Sequence, residues 1–143
     1  MRIRYCSRAF IINKENKILL QRFEFPQING NKTLWVTPGG GIEENETYEE
    51  ALERELYEEL NIKIQINEAP VLTLDVLIDG KKEIFTSHEV YYLICIEGKI
   101  EVSFDSMTDN EKDTFKGLKW WSREELLSLN SDEYAPIEIL NYI

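Results

Sequence analysis

Between Thr37 and Ile62 the chain runs through three consecutive glycines, Gly39, Gly40 and Gly41, into an acid-rich segment beginning at Tyr48. Thr47 followed by Glu50 forms a capping box, and Asn61 suits the left-handed conformation that closes a helix, so a helix bounded at both ends is predicted. At about 100° per residue from Tyr48, Leu52, Leu56 and Leu60 fall at roughly 40°, 80° and 120°. Glu58, Glu55 and Glu59 fall at roughly 280°, 340° and 20° on the same wheel. They border the apolar arc instead of opposing it. A solvated face explains Glu49, Glu50 and Glu53, but Glu55, Glu58 and Glu59 share one face at the edge of the core and need a counter-charge. Oxygen ligands at this density suit Mg²⁺ or Mn²⁺, and no His or Cys cluster favours zinc. The segment points to metal-assisted chemistry on a phosphate substrate.

Around this helix the chain reads mostly as strands. Ile3 to Ile12 and Lys17 to Arg22 form an expected hairpin across Asn13-Lys14-Glu15-Asn16. Phe23 to Lys32 reads as a polar loop, and Leu34-Trp35-Val36 as a short strand ending at the glycines. Strand patterns then cover about Lys63 to Ile78, Ile84 to Ile96, Lys99 to Phe104 and Leu118 to Trp121, with a turn signal at Asp79-Gly80-Lys81-Lys82. Ser122 with Glu125 caps a helix from Arg123 to Leu129, and Pro136 starts a last short helix. This order predicts an α/β fold, with a mixed sheet between helices rather than a doubly wound parallel sheet.

The length of 143 residues fits a single domain, 1–143, with one substantial core. A net charge of -11 argues against a broad nucleic-acid-binding face and leaves a small anionic ligand held by local cations or a metal. Cys6 and Cys95 lie in apolar surroundings without metal-ligand spacing and read as two buried thiols. No apolar run reaches membrane-spanning length, and the first residues lack a signal-peptide core, so no membrane is expected and a cytoplasmic location is the default.

Gly40, Glu46, Arg54, Glu55, Leu56, Glu58, Glu59 and Ile62 match the box G-x5-E-x7-R-E-U-x-E-E-x-G-U of the Nudix (MutT-like) family, where U is aliphatic. The chain resembles that family over nearly its whole length. Asn61 stands where the box has Gly, a change that touches helix termination and no metal ligand. The resemblance implies a Nudix α/β/α sandwich that hydrolyses a nucleoside diphosphate linked to another moiety, using Mg²⁺ or Mn²⁺. It implies Glu55, Glu58 and Glu59 as metal ligands with the carbonyl of Gly39. Arg54 would orient Glu55, and Glu46 would tie the glycine loop to the helix. Glu55 and Glu58 are the candidates for general base.

A further carboxylate from a later loop often completes such sites; Glu111 fits best, with Asp105 and Glu101 behind it. Arg8 and Arg22 are candidates to counter substrate phosphates, Gly40 to approach the ligand, and Phe23 and Phe25 to stack a base, while Trp35 reads as core. His88, the sole histidine, lies in a strand pattern. The expected partner is a small nucleotide, and the chain is expected as a monomer or homodimer. Three other readings compete. A non-catalytic nucleotide sensor conflicts with the full set of acids, an isoprenoid diphosphate isomerase would need a cysteine near the pocket, and an RNA 5′-end pyrophosphohydrolase conflicts with the charge.

Overall fold

The computed structural model describes residues 2–27, 30–79, 83–97 and 115–143, with the backbone alone at 25–27, 30–32, 115 and 116. Strand β1 (Ile3–Ile12) turns at Asn13, whose Oδ1 accepts from the backbone N–H of Glu15 and Lys17, and returns as β2 (Ile18–Gln27). Asn16 takes φ 61° in this turn, a conformation that Asn tolerates better than most residues. Next come β3 (Gly30–Val36), β4 (Gly39–Gly41), helix α1 (Tyr48–Leu60), β5 (Leu72–Asp79), β6 (Ile84–Cys95) and β7 (Phe115–Trp121). Helix α2 (Arg123–Leu127), β8 (Tyr134–Ala135) and a 3₁₀ turn (Ile137–Asn141) end the chain.

The strands form one mixed sheet in the order β5-β6-β1-β2-β3-β8, with β4 added to β1 and β7 to β2. β1 runs parallel to β6, β3 runs parallel to β8, and the other pairings are antiparallel. β1 meets β2 at Ile12 and Ile18, whereas over Cys6 to Arg8 it pairs with the glycines of β4. The glycine strand is thereby inserted beside the middle of β1.

Each face of the sheet carries its own core, because alternate strand residues point to opposite sides. Ala9, Ile11, Leu19, Val90, Tyr92 and Ile94 bury Leu52, Leu56 and Leu60 of α1. Phe10, Ile12, Ile18, Leu20 and Tyr91 pack on the other side against Trp121, Leu126, Tyr134 and Ile139. The α/β class and the mixed sheet between helices are therefore as expected. Leu56 has no solvent exposure, and its truncation to Ala should cost about 2–5 kcal/mol.

Both capping boxes form, and Asn61 closes α1 at φ 56° and ψ 34°. Four expectations need correction. The segment read as a polar loop is strand: β2 continues to Gln27 and pairs back onto β3 from Gly30. Among the described residues Pro26 pairs with β3 alone, opposite Asn31, an arrangement that suits a residue without an N–H. Residues 62–66 alternate as a strand would, but 62–70 lie outside the sheet; Ile62, Ile64 and Ile66 face the α1 core, and Ile66 N–H bonds to the Glu53 side chain instead of a strand. Pro136 precedes a 3₁₀ turn as its cap residue and does not open an α-helix. Cys6 is buried as expected, but Cys95, at the end of β6, is exposed; both are free thiols. The expected strand over Lys99 to Phe104 lies outside the described residues. Among the described residues no helix is long and apolar enough to cross a membrane.

Candidate active site

The glycine strand and α1 meet around one side chain. Arg54 donates to Glu46 through Nε (2.7 Å) and Nη2 (3.0 Å), and to the carbonyl of Gly41 through Nη2 (3.0 Å). Its Nη1 reaches Glu55 at 3.0 Å and Glu58 at 3.3 Å. Glu46 also accepts from the backbone N–H of Glu43, which fixes the loop leading into the helix. The Arg54 bond, opposed by burial, holds the Glu46 carboxyl below its ordinary range, and the same bond leads the effects that hold the guanidinium above its own. One planar fork thus ties loop backbone, loop carboxylate and two helix carboxylates together.

The three acids that border the apolar arc sit in different settings. Glu55 lies directly on the glycine strand: a Cβ on Gly40 would stand 2.7 Å from its carboxylate carbon. Only glycine permits that approach. Glu59 is buried, and its Oε2 accepts from the side-chain amide of fully buried Gln21 at 2.9 Å. Glu58 keeps 38% of its side chain open to solvent against 12% for Glu55. Burial pushes the Glu58 carboxyl up, Arg54 opposes it, and Glu55 and Glu43 push it further up. Ser7, paired with Gly40 across β1 and β4, has a buried hydroxyl without a hydrogen-bond partner among the described residues.

No three acidic, His or Cys side chains converge on one point as they stand among the described residues. Arg54 engages Glu55 and Glu58, and Gln21 engages Glu59. In kind the residues fit a hard divalent ion: all donors are oxygens, the one guanidinium of Arg54 is shared among Glu46, Glu55 and Glu58, and the Gly40 cradle brings backbone against Glu55.

Other expected site residues fall at varying distances from this centre. Gly39, at φ 135°, lies against Arg8, whose Cγ would be 3.1 Å from a Cβ placed there. Arg8 forms an ion pair with Glu89 (3.4 Å) and donates to the carbonyl of Thr37 (3.2 Å). Arg22 lies 3.9 Å from Glu24, its guanidinium is 5.9 Å from the Trp35 ring centre, and its Nε is buried without a hydrogen-bond partner among the described residues. Phe23 is half-buried on β2, opposite Leu34 and Phe115 at a register shift. Trp35 packs edge-on against Trp121 in the core. His88 bonds to Asp75 at 2.7 Å and meets Tyr5 edge-on. Glu111, Asp105 and Glu101 lie outside the described residues, as does the Phe25 side chain.

Sequence reasoning passed over Gln21, Thr37, Glu89 and Tyr91. The available signal was a polar residue in an apolar strand, Gln21 after Ile18-Leu19-Leu20 and Glu89 ahead of Val90-Tyr91-Tyr92. Buried polar groups of this kind find partners, and here those partners are at the site.

Comparison with known proteins identifies the family. The family model described as NUDIX domain matches residues 3–140. The nucleoside triphosphatase NudI of Enterobacter sp. is 33% identical over 109 residues, 69% of each chain. An uncharacterized Nudix hydrolase, all7351 of Nostoc sp., is 29% identical over 136 residues, covering 94% of this chain and 74% of that protein. The crystal structure of a MutT Nudix hydrolase from Burkholderia pseudomallei superimposes with a TM-score of 0.65 at 23% identity, covering 100% of this chain and 99% of that one. With 138 of its residues inside the family model, the chain belongs to the Nudix family and is a pyrophosphohydrolase.

Proposed function

We propose that the protein hydrolyses a diphosphate bond in a nucleoside diphosphate linked to another moiety, with a nucleoside triphosphate as the first class to test, and that it does so with Mg²⁺ or Mn²⁺. The observation that carries this reading is the Arg54 fork, which joins Glu46, Glu55, Glu58 and the Gly41 carbonyl beside a glycine strand. Similarity to a nucleoside triphosphatase supports the choice of substrate class.

The carboxylates of Glu55, Glu58 and Glu59 and the carbonyl of Gly39 would hold the ion, with Glu111 as the candidate for a further ligand. When bound, such an ion supplies positive charge to phosphate oxygens and lowers the pKa of a coordinated water. The chain's own groups do the rest. Arg54 fixes Glu55, Glu46 anchors Arg54, and Gln21 aims Glu59. Water attacks phosphorus, the P–O bond to the leaving phosphate breaks, and a carboxylate takes the water's proton. Glu55 and Glu58 are the candidates for that role, and Glu58 is the more open to solvent, with 38% of its side chain exposed against 12%. Arg8, Arg22, Phe23 and Gly40 would contact substrate.

The net charge of -11 favours a small nucleotide over a nucleic-acid polymer, and two free thiols favour a reducing, cytoplasmic setting. A screen of nucleoside triphosphates, dinucleoside polyphosphates, nucleotide sugars and ADP-ribose with Mg²⁺ tests the reading. Turnover of at least one, lost in chelator, is expected. Tight binding of a nucleotide without any turnover would instead indicate a sensor.

A further inference from the structure

A second polar network adjoins the glycine strand from the side opposite Glu55. The parallel pairing of β1 with β6 puts Arg8 across from Tyr91 and Cys6 across from Glu89. The Glu89 carboxylate, in a residue 8% exposed, accepts from the Tyr91 hydroxyl at 2.7 Å and from the Ser87 hydroxyl at 3.0 Å, and lies 3.4 Å from Arg8 Nε. The Tyr91 hydroxyl lies near the Thr37 side chain, and the Thr37 carbonyl accepts from Arg8 Nη1 at 3.2 Å. Arg8 is held from two directions. Its Nη2 is bonded to no described residue, and 22% of the side chain remains open.

An ion pair buried only for packing is a poor choice, since apolar residues of equal volume serve as well or better. Such a pair would also be expected to leave no donor unused. Here one edge of a charged fork is left free, next to Gly39 and on the other side of the loop from the Glu55 carboxylate at Gly40. Burial disfavours the Arg8 charge, but the carboxylate of Glu89 foremost, with Glu59, outweighs it, so the guanidinium remains a permanent cation in a chain rich in acids. A phosphate oxygen takes a free guanidinium edge well.

We propose that Glu89, backed by Tyr91 and Thr37, is a positioning residue that holds Arg8 as a fixed cation for a phosphate group seated at the Gly39–Gly41 strand. The proposal rests on the diphosphate reading above and adds a specific subsite to it.

Isothermal titration of inorganic pyrophosphate in the presence of Mg²⁺, on wild type, Arg8→Ala, Glu89→Gln and the double variant, tests it together with KM and kcat for a nucleotide that is turned over. Arg8→Ala should weaken pyrophosphate binding by about tenfold or more, the effect of losing a charged hydrogen bond. Glu89→Gln should weaken it several-fold and raise KM more than it lowers kcat. In the Arg8→Ala background the Glu89→Gln effect should vanish, as coupled residues require. Tyr91→Phe removes one hydroxyl from the Glu89 carboxylate, should shift binding the same way by less, and serves if Glu89→Gln does not fold. Unchanged pyrophosphate affinity and KM in folded Glu89→Gln or Tyr91→Phe would reduce the network to a core ion pair and overturn the proposal, as would additive effects in the double variant. If pyrophosphate behaves as expected but no nucleotide is hydrolysed, the catalytic reading fails and this subsite stands.

Discussion

Arg54 and Glu46 make a two-pronged contact, Nε to Oε2 at 2.7 Å and Nη2 to Oε1 at 3.0 Å, across eight residues of loop and helix. Both side chains are only about one-fifth exposed, so solvent screens the pair less than an ordinary surface bridge. Lysine keeps the charge but has no planar fork to span Glu46, Gly41, Glu55 and Glu58 at once. Arg54→Lys should therefore lower stability by about 1–2 kcal/mol and kcat/KM by about 10–100-fold. Thermal melts and initial rates check this. A stability loss with unchanged kcat/KM would make Arg54 a brace and nothing more.

Gln21 and Glu59 are 38 residues apart in sequence and 2.9 Å apart in space. Gln21→Leu would leave a buried carboxylate without its amide donor. Affinity for Mn²⁺, read by calorimetry, should fall about 10–100-fold, as when the group orienting a metal ligand is removed. Retained Mn²⁺ affinity would mean that Glu59 does not depend on Gln21 for its orientation.

The two later glycines should respond differently to alanine. At Gly40 the new Cβ would meet the Glu55 carboxylate at 2.7 Å, whereas at Gly41 it would meet the far end of the exposed Arg4 side chain at 3.0 Å, which can move aside. Gly40→Ala should lower kcat/KM by about 100-fold, with the fork to Glu55 displaced. Gly41→Ala should keep activity within a few-fold. Equal losses in the two would remove the special role of the Gly40 approach.

The capping box, the left-handed closing Asn and the split between solvated and bordering acids were all legible, because each depends on residues within a few turns of one another. The Arg54 fork was legible in part for the same reason. Gln21 and Glu89 escaped notice since Glu59 reaches Gln21 only when α1 packs on the sheet, and Arg8 reaches Glu89 only through the pairing of β1 with β6. The strand at Phe23 to Gln27 was obscured by Pro26, and the alternation of Ile62, Ile64 and Ile66 suggested sheet where the chain instead lies along the α1 core. Alternation reports which side is buried; it does not report which neighbour supplies the hydrogen bonds.

Asn61 holds φ 56° at the end of α1 and donates to the carbonyls of Leu56 and Tyr57. The departure from glycine in the Nudix box should therefore affect helix closure alone. Asn61→Ala should cost about 1 kcal/mol, the strain of a Cβ in left-handed backbone, while Asn61→Gly stays within about 0.5 kcal/mol of the parent. Both should keep full activity, measured under saturating substrate. A large loss of rate in Asn61→Gly would tie this position to the chemistry.

The central claim is that Glu55, Glu58 and Glu59 hold a divalent ion for diphosphate hydrolysis. The most direct measurement is the rate of phosphate or pyrophosphate release from a nucleoside triphosphate panel with Mg²⁺, with chelator, and in Glu58→Gln. Turnover should need the ion and fall by about two orders of magnitude or more in Glu58→Gln, with the melting temperature of the ion-free protein not lowered. Turnover that survives chelation, or a Glu58→Gln rate within a few-fold of the parent, would contradict it.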